Sequence, residues 1–182
     1  MAKSNTKGTN FLVQGSILAI ASIISRIIGL IYRIPMTAII GDVGNNYYAA
    51  AFDIYNVMLI ISSYSLPLAV SKLVSAKMAK GQFKTAYQVL KGALLFALAS
   101  GTIVAVIVFF GAGFFTKTLL STPNSIFALR VLAPALVIVA ILGVIRGFFQ
   151  GLGTMMPSAV SQIIEQVVNA IVSVWAAYVL YR

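Results

Sequence analysis

Apolar residues in this chain come in long unbroken runs rather than in the two-residue alternation of a half-buried strand. Five runs reach the roughly 20 residues that carry a helix across a bilayer core. They are residues 11–40, 47–70, 92–115, 126–149 and 158–181. Barrel strands would show alternating segments of about ten residues. The pattern therefore predicts an all-α, polytopic transmembrane helix bundle. The links between runs are short and polar. GDVGNN at 41–46 and GLGTMMP at 151–157 predict turns. Residues 72–84 predict a basic loop with a helical extension, and Thr122–Pro123–Asn124 a breaker.

Residues 1–10 are polar and basic, and the run behind them is too long and too interrupted by Arg26 and Arg33 for a cleaved secretory signal. It reads as a retained first span. The third run differs from the others in carrying no charge. Its Ala93, Ala97, Gly101 and Ala105 repeat every four residues, the small-xxx-small spacing that lets helices approach closely.

Composition agrees with the pattern. Of 182 residues, 60% are hydrophobic and 9% charged, whereas a soluble domain averages about a quarter charged. A soluble enzyme, a disordered tail and a coiled coil do not fit. The net charge of +10 would point to nucleic acid in a soluble protein. Here the basic residues flank apolar runs, so the positive-inside bias accounts for them and no nucleic-acid partner is expected. Lys3, Lys7, Lys72, Lys77, Lys80, Lys84, Lys91 and Arg146 fall on one side; Lys117, Arg130 and Arg182 fall on or near the other. That imbalance predicts a multi-pass cell-membrane protein with a cytoplasmic N-terminus. With no Cys, no His and three carboxylates, the chain lacks thiol chemistry, the usual zinc ligands and the commonest general base. It does not read as an enzyme, and no cofactor or metal is expected.

The informative residues are polar ones at bilayer depth. A charge at the centre of a span costs at least about 2.5–3.5 kcal/mol on insertion scales. In the first run, Ser22, Arg26, Gly29 and Arg33 are spaced by four, three and four and share one helix face, with Pro35 marking an expected kink. Two readings compete: the arginines line a cavity, or they snorkel to opposite interfaces. Asn46, Asp53, Asn56 and Ser63 form a similar face in the second run. Asp53 calls for a cationic partner, with Arg26 and Arg33 as candidates. In the fifth run Gln162, Glu165 and Asn169 repeat the theme. Glu165 reads equally as a proton or cation site and as a buried pair with Arg130 or Arg146. Paired arginines suit a phosphate or diphosphate, because guanidinium forks bind its oxygens bidentately and stay charged. The expected ligand is anionic at its head, with an apolar remainder lying in lipid.

SRIIGLIYRIP at 25–35, GDVGNNYYAAAFDIYN at 41–56 and RGFFQGLGTMMPSAVSQIIEQVVN at 146–169 resemble the multidrug/oligosaccharidyl-lipid/polysaccharide exporters. Within that superfamily the chain is most similar to the MurJ/SpoVB-like polysaccharide biosynthesis branch, the lipid II flippases. The resemblance implies alternating-access flipping of an undecaprenyl-diphosphate-linked oligosaccharide, lipid II foremost, across the cytoplasmic membrane for cell-wall synthesis. It also implies a coupling ion, Na+ or H+, and an N-terminal portion of a larger two-lobed fold. The family's cavity arginine carries over onto Arg26. The family's second arginine falls on Tyr32, one residue before Arg33, and its aspartate ahead of the second span falls on Asn46. A later basic pair has Leu59 and Ile60 in its place. Two other functions fit the same residues: a cation-coupled drug exporter using Asp53 or Glu165, and a non-transporting scaffold assembled through the small-residue face.

Overall fold

The computed structural model describes the backbone of residues 3–63, 65–119 and 122–181, and the side chains of 13–62, 65–118, 122 and 124–179. All regular structure among them is helical: α1 (Lys3–Ser63), α2 (Leu66–Ala79), α3 (Phe83–Phe114), α4 (Ile126–Gly151) and α5 (Met156–Tyr181). A π-helical turn, Phe115–Leu119, and a 3-10 turn, Pro123–Ser125, lie between α3 and α4. Four stretches among the described residues are long and apolar enough to cross a membrane: Val13–Ala79, Phe83–Thr118, Ile126–Gly151 and Met156–Val179. The chain forms an all-α polytopic membrane bundle.

The first two apolar runs form two helical arms of α1 that meet at a kink within GDVGNN. Its residues keep helical dihedrals except Gly41, at φ 73° and ψ 176°. That left-handed φ is open to glycine without the Cβ penalty other residues meet. Helical φ/ψ continue through Pro35 and depart at Gly41, where the two arms meet. The run drawn over 47–70 is divided as well. α1 ends at Ser63 and α2 begins at Leu66, with Pro67 in its first turn, where the missing N–H has no helical partner to lose. The basic stretch after it is mostly helix, and only Lys80 to Gln82 turn the chain.

The chain divides into two compact bodies, one holding α1 as far as Asp42 together with α5, the other running from Val43 to Leu152. In the second body α3 and α4 pack antiparallel. Ala97, Ala105, Val108 and Ala112 of α3 are buried, as are Ala133, Leu136, Ala140 and Val144 of α4. The small-residue stripe is the contact: a Cβ on Gly101 would lie 3.2 Å from Val137 Cα and 3.4 Å from Ala140 Cβ.

A second stripe, unremarked in the sequence, seats α2. Gly143, Gly147 and Gly151 of α4 are spaced by four, and α2 lies directly on them. A Cβ on Gly147 would come within 2.8 Å of Pro67 Cα and closer to its carbonyl oxygen. One on Gly151 would meet Val74 Cβ at 2.7 Å. Pro67 meets Gly147 and Val74 meets Gly151, so α2 and α4 run parallel. The lysine-bearing end of α2, the start of α3 and the Arg146 end of α4 therefore gather at one end of this body.

Overpacking a helix contact of this kind costs about 1–3 kcal/mol. Gly147→Ala should lower the melting temperature of the detergent-solubilised protein. Gly113→Ala, where a Cβ meets nothing within 4 Å, should leave it unchanged or raise it. Equal effects from the two substitutions would show that the α2–α4 contact is not tight.

Candidate functional site

The first body joins buried alanines to a row of polar side chains. Gln14 Oε1 accepts from the backbone N–H of Met155 at 2.8 Å. Ser22 Oγ donates to Leu18 O at 2.9 Å and reaches Gln162 Oε1 at 3.4 Å. Gln166 Oε1 would lie 3.8 Å from a Cβ on Gly29. Asn169 Nδ2 donates to the Tyr32 hydroxyl at 3.1 Å, and Ser173 Oγ donates to Asn169 Oδ1 at 3.0 Å. Position rises along both helices together, so the first arm of α1 and α5 are parallel neighbours joined by a polar seam. Ala21, Met36, Ala159 and Ala177 are its buried apolar members. Ser25 Oγ is buried in α1 without a hydrogen-bond partner.

The predicted stripe on α1 divides along this seam. Ser22 and Gly29 face α5, whereas Arg26 and Arg33 are exposed. Gln14, Ala21, Ser25, Tyr32 and Met36 define the packed face, and at 3.6 residues per turn the two arginines lie roughly 90–110° around the helix from its centre. Thr37 Oγ1 donates to the Arg33 backbone carbonyl at 2.9 Å, but within their own body the two guanidinium groups make no hydrogen bond or ion pair among the described residues. On α5, Gln162 is half-buried in the seam, Asn169 is bonded across it, and Glu165 is exposed.

The other candidates belong to the second body. Asn46 and Asp53 are exposed and Asn56 is half-buried. They lie across the helix from Ala51, Ile54 and Tyr55, which form the packed face. Asp53 has no ion-pair partner within that body among the described residues. The Arg130 guanidinium sits 5.6 Å from the Phe109 ring centroid. The side chains of Lys3, Lys7 and Ser63, and the whole of Arg182, lie outside the described residues.

Gln14, Tyr32 and Gln166 are seam members that reading by four-and-three spacing passed over. Their signal was available: each is an uncharged hydrogen-bonding group within an apolar run, Gln14 and Tyr32 on the face of α1 that carries Ser25 and Gln166 on α5. Chemically, the arrangement offers neutral donors and acceptors between two helices, with two permanent cations beside them. It suits binding of an anion. Among the described residues no three of His, Cys, Asp and Glu come together as a metal site would need.

Fold and site together define a multi-pass, all-α membrane protein with hydrogen-bonding and cationic groups on its apolar helices. The profile of the Polysaccharide biosynthesis protein family matches residues 11–181, and the chain belongs to that family. It is 32% identical over 180 residues to Lipid II flippase MurJ of Bacillus subtilis (strain 168), covering 94% of this chain and 33% of that protein. Stage V sporulation protein B of the same organism is 31% identical over 159 residues, or 87% of this chain and 31% of that protein. The uncharacterized membrane protein YabM, also from that organism, is 28% identical over 95% of this chain and 32% of its own length. The chain thus spans about a third of the length of the curated relatives it matches. No solved structure matches it.

Interhelical hydrogen bonds in membranes average about 0.6 kcal/mol and reach about 1.7 kcal/mol. A double-mutant cycle with Tyr32→Phe and Asn169→Leu should return a coupling of that order in unfolding free energy. Additive single effects would mean that this bond does not join α1 to α5.

Proposed function

We propose that this chain forms part of a flippase that moves an undecaprenyl-diphosphate-linked oligosaccharide, lipid II foremost, across the cytoplasmic membrane by alternating access. The observation that carries the proposal is the pair of exposed guanidinium groups, Arg26 and Arg33, set beside the α1–α5 seam at bilayer depth. An intramembrane cation needs an anionic partner or water, and a diphosphate satisfies both arginines bidentately. The 32% identity to a lipid II flippase over most of the chain supports this substrate class. The function is transport, not catalysis.

In this reading the two arginines hold the diphosphate while the sugars pass and the polyprenyl tail stays in lipid. Ser22, Asn46, Asn56, Gln162 and Asn169 offer neutral hydrogen bonds to the polar cargo. Asp53 and Glu165 are the carboxylates through which Na+ or H+ would couple. The N-terminus is cytoplasmic and the chain crosses five times. Parallel packing of α1 and α5 supports that parity, because residues 43–152 must then cross an odd number of times. The stretches 47–70, 83–118 and 126–151 supply three crossings.

Arg26→Ala in the full-length protein should abolish rescue of a strain depleted of its lipid II flippase, with membrane insertion and abundance unchanged. Arg33→Ala should weaken rescue, and Arg26→Lys should restore it only in part, since an ammonium lacks the guanidinium fork. Normal growth of the Arg26→Ala strain would remove the diphosphate role. Loss of drug efflux from Asp53→Asn or Glu165→Gln, with growth intact, would favour the drug exporter.

A further inference from the structure

One face of α3, within the second body, carries a feature that the transport reading does not use. Lys91, Leu98, Thr102 and Phe109 are spaced by seven, four and seven, so they fall on one line along the helix. Two apolar grooves open along that line, between α3 and α4. The first has a volume of about 350 Å³ and is lined by Lys91, Leu94, Leu95, Leu98 and Ile141. The second, of about 280 Å³, is lined by residues that include Thr102, Val106, Phe109 and Pro134. Each ends at a cation against an aromatic ring: Lys91 Nζ lies 5.0 Å from the Tyr87 centroid, and the Arg130 guanidinium 5.6 Å from that of Phe109. From Lys91 to Phe109 the helix rises about 27 Å, close to the roughly 30 Å of a hydrocarbon core.

The two ends differ in charge. Lys72, Lys77, Lys80, Lys84 and Lys91 gather at the first, and residues 66–91 contain no carboxylate. Lys84 lies seven residues before Lys91 and shares its face. A groove of leucines that begins under an exposed ammonium, at one end of a bilayer-length helix, matches a lipid in outline. Its phosphate meets Lys91 and Lys84, and one acyl chain follows Leu94 and Leu98. We propose that the Lys91 groove is a binding site for an anionic phospholipid of the leaflet next to the lysine-rich end. Charge complementarity selects the occupant: a zwitterionic headgroup brings its own ammonium to a surface without a carboxylate to receive it.

The test is native mass spectrometry of the full-length, detergent-solubilised protein with phosphatidylglycerol and phosphatidylcholine as probes. The protein should retain phosphatidylglycerol in preference. Lys91→Gln should reduce that retention about fivefold, the worth of one lysine near an anionic headgroup, and Lys91→Arg should preserve it. Lys80→Gln, in the same basic cluster but outside the groove, should change it far less. Leu98→Trp fills the groove from its lipid-facing side, where Leu98 is 47% exposed; it should displace the lipid with every cation in place. Equal retention of both lipids, equal loss in Lys80→Gln and Lys91→Gln, or full binding in Leu98→Trp would each overturn the proposal. So would a groove that retains no lipid because another part of the protein covers it.

Discussion

Hydrocarbon solvates a leucine about as well as another leucine does, so helices in a bilayer gain little by hiding apolar side chains from it. This constraint orders the whole structure. Ile34, Phe110 and Phe127 are each more than 70% exposed, which would be a liability in water and costs nothing in lipid. The fully buried set includes Ala51, Ala97, Ala112 and Ala140, residues whose virtue is that they take up little room. Where neighbours are chosen, the choice rests on how near two backbones can come, or on polar groups that lipid cannot satisfy.

The two bodies use these options differently. Val43 to Leu152 is assembled on small residues: Gly101 against Val137 and Ala140, and the Gly143–Gly147–Gly151 stripe beneath α2. Such contacts depend on dispersion over short distances and tolerate no added methyl. The α1–α5 pair is joined by Gln14, Ser22, Tyr32, Gln162 and Asn169. Its bonds are weak one by one but directional, and a broken one can be replaced by water or by a polar ligand. Under the proposed transport function, a stiff element and a wettable one would each have a use. The seam is the wettable element, and the arginines lie along its edge.

Much of this was legible in the sequence, because the helices are set by the one property it displays without ambiguity, the length of apolar runs. The 126–149 run became α4 almost residue for residue, and the stripe through Gly101 became a contact. Element ends were less legible. GDVGNN carries every composition signal of a turn, yet the break in the helix is confined to one residue, Gly41, while its other residues keep helical dihedrals. The site was legible as residue types and not as partners. Spacing put Ser22, Arg26, Gly29 and Arg33 on one face, but a helical face is wide, and only the position of α5 decides which members lie in the contact. Gln14 and Tyr32 were passed over because they sit apart from the charges that drew attention to that face.

That the arginines stand beside the seam and not within it follows from what each group requires. A hydroxyl or carboxamide is satisfied by one or two neutral partners, and Ser22, Gln162, Tyr32 and Asn169 supply them to one another. A guanidinium presents five donors and a full charge. Neutral acceptors on α5 would leave it under-satisfied in a low-dielectric contact, at a cost that a removable ligand never has to cover. The carboxylate on the same stretch of α5, Glu165, is exposed. Placed at the margin, Arg26 and Arg33 are exposed, and under the proposed function they would be solvated without an anion and available when one arrives. Under the proposed function a transient partner would leave both the seam and the charges stable, whereas an ion pair fixed across the two helices would give up the second for the first.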